Sequence, residues 1–300
     1  DTARHMEGIV AGDRPRSTAL RGVGVTNLFY EASTRTRVSF EAAATHLSAD
    51  VVNITVSGSS IEKGESLLDT MRTLEALGAK ILVIRHAVSG APYLVAREFR
   101  GSVVNGGDGR HAHPTQALLD LMTLVRHVPG GSLWGRKIVI LGDILHSRVA
   151  RSNLWTLTAA GADVWVCGPS TLLRGFEAWA AAGVGGERRF TVTSDIDAAV
   201  KDAAAIMALR IQKERMASGL LPSLGEYASR FGLTSERLAR AGEGCLVMHP
   251  GPMNEGVEIA PDVASGPQSI VVEQVATGVA VRMAVLSLVA SAAGIRAMPS

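Results

Sequence analysis

Short apolar runs rich in Val, Ile and Leu recur along this 300-residue chain, each followed by a longer segment of helical period. That alternation restricts the fold more than any other feature. The runs Val23–Tyr30, Val51–Val56, Lys80–His86 and Ser102–Asn105 form one series. Between and after them apolar residues return at helical spacing, as in Phe40, Ala43, Ala44 and Leu47, and again in Leu118, Leu121, Met122 and Val125. A strand apolar on both faces needs cover on both, so the pattern predicts parallel sheets flanked by helices, the α/β class. Composition agrees: 47% of residues are hydrophobic, only 4% aromatic, and 32 are glycine.

The pattern breaks at HVPGGSLWGRK, where Pro and paired Gly interrupt any element. A second series follows at Lys137–Gly142, Asp163–Cys167, Ala204–Leu209 and Gly244–His249. Since 300 residues is about twice a ~150-residue domain, the reading is of two domains, 1–130 and 131–276. A last apolar run, 277–293, with Val281, Ala284, Val285 and Leu288, predicts a long helix packing back on the first domain. No stretch is read as reaching the ~18–20 apolar residues of a membrane span, and the N-terminal segment has no signal-peptide core. Thirty Lys+Arg against 28 Asp+Glu leave a scattered net charge of +2, so neither nucleic acid nor a membrane surface is an expected partner. Cys167 and Cys245 sit in apolar runs without partners at metal-ligand spacing, which disfavours a disulfide framework or zinc ribbon and suits a reducing cytoplasm.

In open parallel sheets ligands bind beyond the carboxyl ends of the strands, so the residues after each run are the candidates. After Val23–Tyr30 comes Ser33-Thr34-Arg35-Thr36-Arg37, three hydroxyls and two guanidiniums leading into a helix. A helix N-terminus offers unpaired N–H groups, hydroxyls donate further bonds, and a guanidinium forks onto phosphate oxygens. This is an anion site rather than a simple cap, which needs one hydroxyl. Lys80–His86 ends in Arg85. Farther on, His113 and Gln116 stand three apart at a helix start, on one face of its first turn. His113 can donate to a carbonyl oxygen and the Gln116 carbonyl can accept from an amide, which together fit a carbamoyl group; a helix-start histidine bonded to local backbone is the plainer alternative. His111 and His113 as a metal pair lack further ligands. Neither Gly22-Val-Gly24 nor the turn after Lys137–Gly142 carries a dinucleotide glycine fingerprint.

In the second series Arg148 follows one strand, and Arg210 and Gln212 follow another, on one side by strand alternation. Two arginines at neighbouring strand ends can hold two carboxylates, although each alone also suits a surface ion pair. The last strand ends in His249-Pro250-Gly251-Pro252, a rigid turn with exposed carbonyls.

Ser33–Arg37 followed by Val38-Ser39-Phe40-Glu41, the turn His113-Pro114-Thr115-Gln116, and Arg210-Ile-Gln212-Lys-Glu-Arg, in this order, resemble the aspartate/ornithine carbamoyltransferase family, and within it the catalytic chains specific for aspartate. The likeness runs from about residue 20 to 290. It implies two doubly wound parallel-sheet domains joined by interdomain helices, 1–130 binding carbamoyl phosphate and 131–276 binding L-aspartate, which close during turnover. It further implies that Ser33, Thr34, Arg35, Thr36 and Arg85 hold the phosphate. Thr36, Arg85 and His113 would polarise the carbamoyl carbonyl, and Gln116 with the backbone of Pro250 and Gly251 would hold the amide. Arg148, Arg210 and Gln212 would bind the aspartate carboxylates, with Pro252 shaping the wall. Family members are trimers with shared sites, so Ser59 and Lys63 would enter from the neighbouring subunit, Lys63 meeting both substrates. Read by itself, Gly58–Glu65 is only a polar loop with one cation. No cofactor or metal is implied, and a regulatory chain or dihydroorotase is a possible partner. Ornithine-specific relatives normally carry His-Cys-Leu-Pro where this chain has His249-Pro250-Gly251-Pro252. A non-catalytic scaffold would have lost site residues, and none is lost.

Overall fold

The computed structural model describes residues 1–55, 64–183, 190–212, 220–221, 223–242 and 244–298. Two compact units emerge, Asp1–Thr115 with Ala276–Ser300, and Gln116–Val275.

In the first unit, α1 (Thr2–Val10) precedes a series β1 (Gly24–Phe29), α2 (Thr34–His46), β2 (Asp50–Thr55), α3 (Leu67–Ala76), β3 (Ala79–His86), α4 (Ala91–Glu98) and β4 (Ser102–Asp108). The strands form one parallel sheet in the order β2-β1-β3-β4. Side-chain alternation along β3 assigns its two faces. Ile81 and Val83 join Phe40, Ala43 and Ala44 of α2 and Leu47 just after it, whereas Leu82 and Ile84 join Met71 and Leu74 of α3, Val95 of α4 and Phe99 just after it. The helical face read from Phe40 to Leu47 is fully buried.

The second unit runs through α5 (Pro114–His127), β5 (Lys137–Leu141), α6 (Arg148–Ala159), β6 (Asp163–Cys167), α7 (Phe176–Ala181), β7 (Thr191–Thr193), α8 (Ile196–Val200), β8 (Ala205–Ala208), α9 (Leu224–Phe231), α10 (Ser235–Leu238), β9 (Leu246–Met248) and α11 (Pro261–Ala264). Its parallel sheet has the order β7-β6-β5-β8-β9. Ile138 and Ile140 pack with α5 and α6, while Val139 and Leu141 pack with α8, α9 and the loop beyond. The three-residue β7 was not read from sequence because it is short and lacks an apolar run.

The chain passes between the units within α5 and within α12 (Val271–Ala292). A division near residue 130 assigns α5 to the first domain, but Leu121, Leu124 and Val125 pack into the second unit's core. The buried face of α5 is also offset from the apolar stripe: Leu118 is exposed, and Gln116, Ala117, Asp120 and Leu124 face inward. α12 corrects the expectation about apolar length. It spans 22 residues with mean hydropathy 1.8 and is long and apolar enough to cross a membrane by length and composition. Half of that window is buried, with Ala280, Met283, Leu286 and Ala290 in the same core as Phe40, and Arg282 donates to Ser39 Oγ at 2.9 Å.

Both sheets have a switch point. In the first, the chain moves from β1 outward to β2 and then to β3 on the other side; in the second, from β5 outward to β6 and β7 and then to β8. Connections leave a crevice at such a reversal, at the carboxyl ends of the two flanking strands. These are β1 and β3 in one sheet, β5 and β8 in the other.

Candidate active site

At the first switch point, β1 ends and Ser33 caps α2, its Oγ accepting from Thr36 N at 3.3 Å. Thr34, Arg35 and Thr36 are thereby the first residues of the helix, where backbone N–H groups lack intrahelical acceptors. Thr36 is buried, and desolvation lowers the pKa of the Arg35 guanidinium from its ordinary value. Arg85, at the end of the neighbouring β3, is also buried; its Nη2 meets Glu31 Oε1 at 2.9 Å and its Nη1 donates to Gly106 O at 3.2 Å. Glu31, from the loop after β1, thus ties the two strand ends together and aims Arg85. His113 is buried just before α5.

The loop before His113 is organised by Asp108, a fully buried carboxylate. It accepts from Gly90 N at 2.6 Å, Asn105 Nδ2 at 2.8 Å and Ala112 N at 3.1 Å, with His111 Nδ1 at 3.0 Å. His111 is therefore engaged by Asp108, and its ring lies edge-on to Tyr93. Desolvation also lowers the pKa of the His86 imidazole, whose Nδ1 accepts from Val88 N at 2.9 Å.

At the second switch point, β5 runs into Gly142-Asp143. Gly142 has φ +130°, and a Cβ there would sit 2.8 Å from Leu209 O, so the strand end and the loop after β8 approach at backbone distance. Asp143 is fully buried; Oδ1 accepts from His146 N at 3.2 Å and lies 2.8 Å from His146 Nδ1, and Oδ2 accepts from Gln212 N at 3.3 Å. Ser147 caps α6 through its Oγ, accepting from Ala150 N at 3.1 Å, and Arg148 opens the helix, almost wholly buried. β8 stops at Ala208, so strand alternation does not place Arg210 and Gln212. Instead Asp143 holds the Gln212 backbone, and the Arg148 and Arg210 loops leave neighbouring strands.

The same unit contains a buried polar chain. Gln116 Nε2 donates to Asp120 Oδ1 at 2.9 Å, Gln274 Nε2 donates to the same oxygen at 2.8 Å, and Asn153 Nδ2 donates to Asp120 Oδ2 at 2.8 Å. Gln274 Oε1 accepts from His249 N at 2.9 Å. His249 Nδ1 in turn accepts from Gly251 N at 2.8 Å, and its Nε2 lies 3.2 Å from Glu258 Oε1. Gly251, at φ +63°, and Pro250 are partly buried, and Pro252 is exposed.

The first unit thus carries Ser33, Thr34, Arg35, Thr36, Arg85 and His113, and the second carries Gln116, Arg148, Arg210, Gln212, Pro250, Gly251 and Pro252. Ser59 and Lys63 lie outside the described residues. Sequence reasoning missed the carboxylates Glu31, Asp108, Asp120 and Asp143. For Asp120 a signal existed: it stands four residues after Gln116, on the same helix face.

Residues 1–126 match the family described as aspartate/ornithine carbamoyltransferase, carbamoyl-P binding domain, and residues 134–289 match its Asp/Orn binding domain. The chain belongs to the aspartate/ornithine carbamoyltransferase family. The aspartate carbamoyltransferase catalytic subunit of Roseiflexus sp. (strain RS-1) is 59% identical over 286 residues, 95% of this chain and 88% of the relative. Among solved structures, aspartate transcarbamoylase from Trypanosoma cruzi in complex with carbamoyl phosphate aligns with TM-score 0.82 at 30% identity, covering 95% of this chain and 88% of that one. Ornithine carbamoyltransferase from Pyrococcus furiosus aligns with TM-score 0.78 at 28% identity, covering 96% and 93%. The two parallel-sheet domains of the carbamoyltransferase family are those seen here, with the matched regions on either side of the Pro/Gly turn.

Proposed function

We propose that this chain is an aspartate carbamoyltransferase, moving the carbamoyl group of carbamoyl phosphate to the amine of L-aspartate to give N-carbamoyl-L-aspartate and phosphate. The observation that carries the reading is the pairing of site chemistry with relatives: cationic and hydroxyl groups stand at both switch points, and the 59% identical relative is an aspartate carbamoyltransferase catalytic subunit.

In this reading Ser33, Thr34, Arg35, Thr36 and Arg85 receive the phosphate, through helix N–H groups, hydroxyls and forked guanidiniums. Thr36, Arg85 and His113 donate to the carbonyl oxygen. Gln116 and the backbone of Pro250 and Gly251 receive the NH2 of the carbamoyl group. Arg148, Arg210 and Gln212 take the two carboxylates of aspartate, with Pro252 at the wall. The neutral aspartate amine attacks the carbamoyl carbon and a C–N bond forms; negative charge collects on the carbonyl oxygen, where the three donors stabilise it. The bond from carbon to the phosphate oxygen then breaks, phosphate leaves, and one of its oxygens takes the proton released by the amine. Positioning and fixed charge supply the acceleration without a covalent enzyme intermediate.

The same reading makes the protein a cytoplasmic homotrimer in pyrimidine biosynthesis, with Ser59 and Lys63 supplied by a neighbouring copy and a regulatory chain or dihydroorotase as a possible further partner. The buried free thiols Cys167 and Cys245 agree with a reducing compartment. Arg148 and Arg210 favour an acidic acceptor over ornithine, whose side chain is cationic.

The test is incubation of purified chain with labelled carbamoyl phosphate and either L-aspartate or L-ornithine, counting acid-stable product. Label in carbamoyl-aspartate alone is expected. Label in citrulline would overturn the assignment of the second unit, and no product with either acceptor would overturn the catalytic reading. Sedimentation of the same sample reads the trimer.

A further inference from the structure

We propose that Asp120 is the positioning residue that gives the site its preference for a carbamoyl over an acyl phosphate, by fixing which end of the Gln116 amide faces the substrate. The proposal rests on the reading above, in which Gln116 meets the carbamoyl NH2.

A glutamine side chain can present either its oxygen or its NH2, and the two ends have nearly the same shape. Something must choose between them. Asp120 is fully buried on the inner face of α5, and a carboxylate only accepts. Its Oδ1 draws the Gln116 Nε2 to 2.9 Å, which in the reading above leaves the accepting Oε1 as the end presented to the substrate. An amide oxygen accepts from an N–H donor and has nothing to offer a methyl group.

The same oxygen of Asp120 orients a second amide. Gln274 gives its Nε2 to Oδ1 at 2.8 Å and its Oε1 to the His249 N–H at 2.9 Å, and only one orientation of that amide satisfies both partners. His249 in turn accepts from Gly251 N through Nδ1. Asp120 therefore sets the Gln116 acceptor and anchors the turn bearing the Pro250 and Gly251 backbone, all within one unit. The other carboxylate oxygen holds Asn153, whose own Oδ1 has no hydrogen-bond partner among the described residues.

Asn153 supplies the conservative control. In Asp120→Asn the retained oxygen can still accept from Gln116 and Gln274. The new NH2 then faces Asn153, whose amide can turn over to accept from it. Asp120→Ala removes the acceptor altogether and frees the Gln116 amide to rotate.

The experiment measures the half-saturating concentration of carbamoyl phosphate at saturating aspartate, and inhibition by acetyl phosphate, which has a methyl group in place of NH2. Loss of one hydrogen bond is worth about tenfold in affinity, so Asp120→Ala is expected to weaken carbamoyl phosphate by about that factor, with acetyl phosphate shifting less than about twofold. Asp120→Asn is expected to keep the parental ratio of the two. Should Asp120→Ala not fold, Asp120→Ser carries the same expectation, because its hydroxyl is too short to reach Gln116. Equal weakening of both ligands by Asp120→Ala, or of neither, overturns the proposal, as does loss of discrimination in Asp120→Asn. Gln116→Leu separates the two levels. If it discriminates like the parent, the assignment of Gln116 itself fails; if it loses discrimination and Asp120→Ala does not, only the role of Asp120 fails.

Discussion

Burial pushes the Cys167 and Cys245 thiols up to about 12, because a thiolate there would lose hydration that the surrounding core cannot replace. At pH 8 the thiolate fraction is then about one in ten thousand, and the thiolate is the reactive form. Native protein is expected to take up no iodoacetamide at that pH and to take up two equivalents after denaturation, read by mass spectrometry; rapid native labelling would show that the core opens around one of the two thiols. The site residues divide along a similar physical line. Arg35, Arg85, Arg148 and Arg210 could be singled out in the sequence because each stands just past an apolar run, a local pattern. Glu31, Asp108, Asp120 and Asp143 could not, because a buried carboxylate is defined by its donors. Those of Asp120 come from residues 116, 153 and 274, which no local pattern joins.

Among the elements, the end of β5 is tightly constrained where it meets the loop after β8. Gly142 takes a φ of +130° and would bring a Cβ to 2.8 Å from the Leu209 carbonyl and 3.1 Å from the Tyr227 hydroxyl. Gly142→Ala therefore combines backbone strain with a clash against backbone that is itself held by the sheet. A loss of about 2 kcal/mol or more in denaturant unfolding is expected. Displacing Asp143 would release the Gln212 backbone, so activity should fall through a higher KM for aspartate; a parent-like KM would disconnect the strand end from the aspartate loop. Strands were legible where both faces are buried, as in β3, where Ile81 to Ile84 are all inaccessible. β7, three residues without an apolar run, was not. α5 shows the reverse case: its apolar stripe pointed to Leu118, but hydrogen bonding draws the polar Asp120 inward and leaves Leu118 exposed.

For the whole molecule, a ligand that binds only the folded chain stabilises it by mass action. Inorganic phosphate at about 100 times its Kd should add about 2.7 kcal/mol and raise the unfolding midpoint. Arg35→Ala should remove that shift and leave the phosphate-free midpoint close to the parent's, since Arg35 is not part of the hydrophobic core. A phosphate effect that survives in the variant would place the anion elsewhere. The sequence by itself determined the class of fold, the two βα series, and the loops that carry the cations, because hydrophobic period and turn chemistry are local properties of a chain. Tertiary structure alone decided the strand orders β2-β1-β3-β4 and β7-β6-β5-β8-β9, and with them which strand ends become neighbours at each switch point. It also decided which amides turn toward Asp120. Both depend on contacts between residues far apart in the chain, whose energies exist only once the backbone has brought them together.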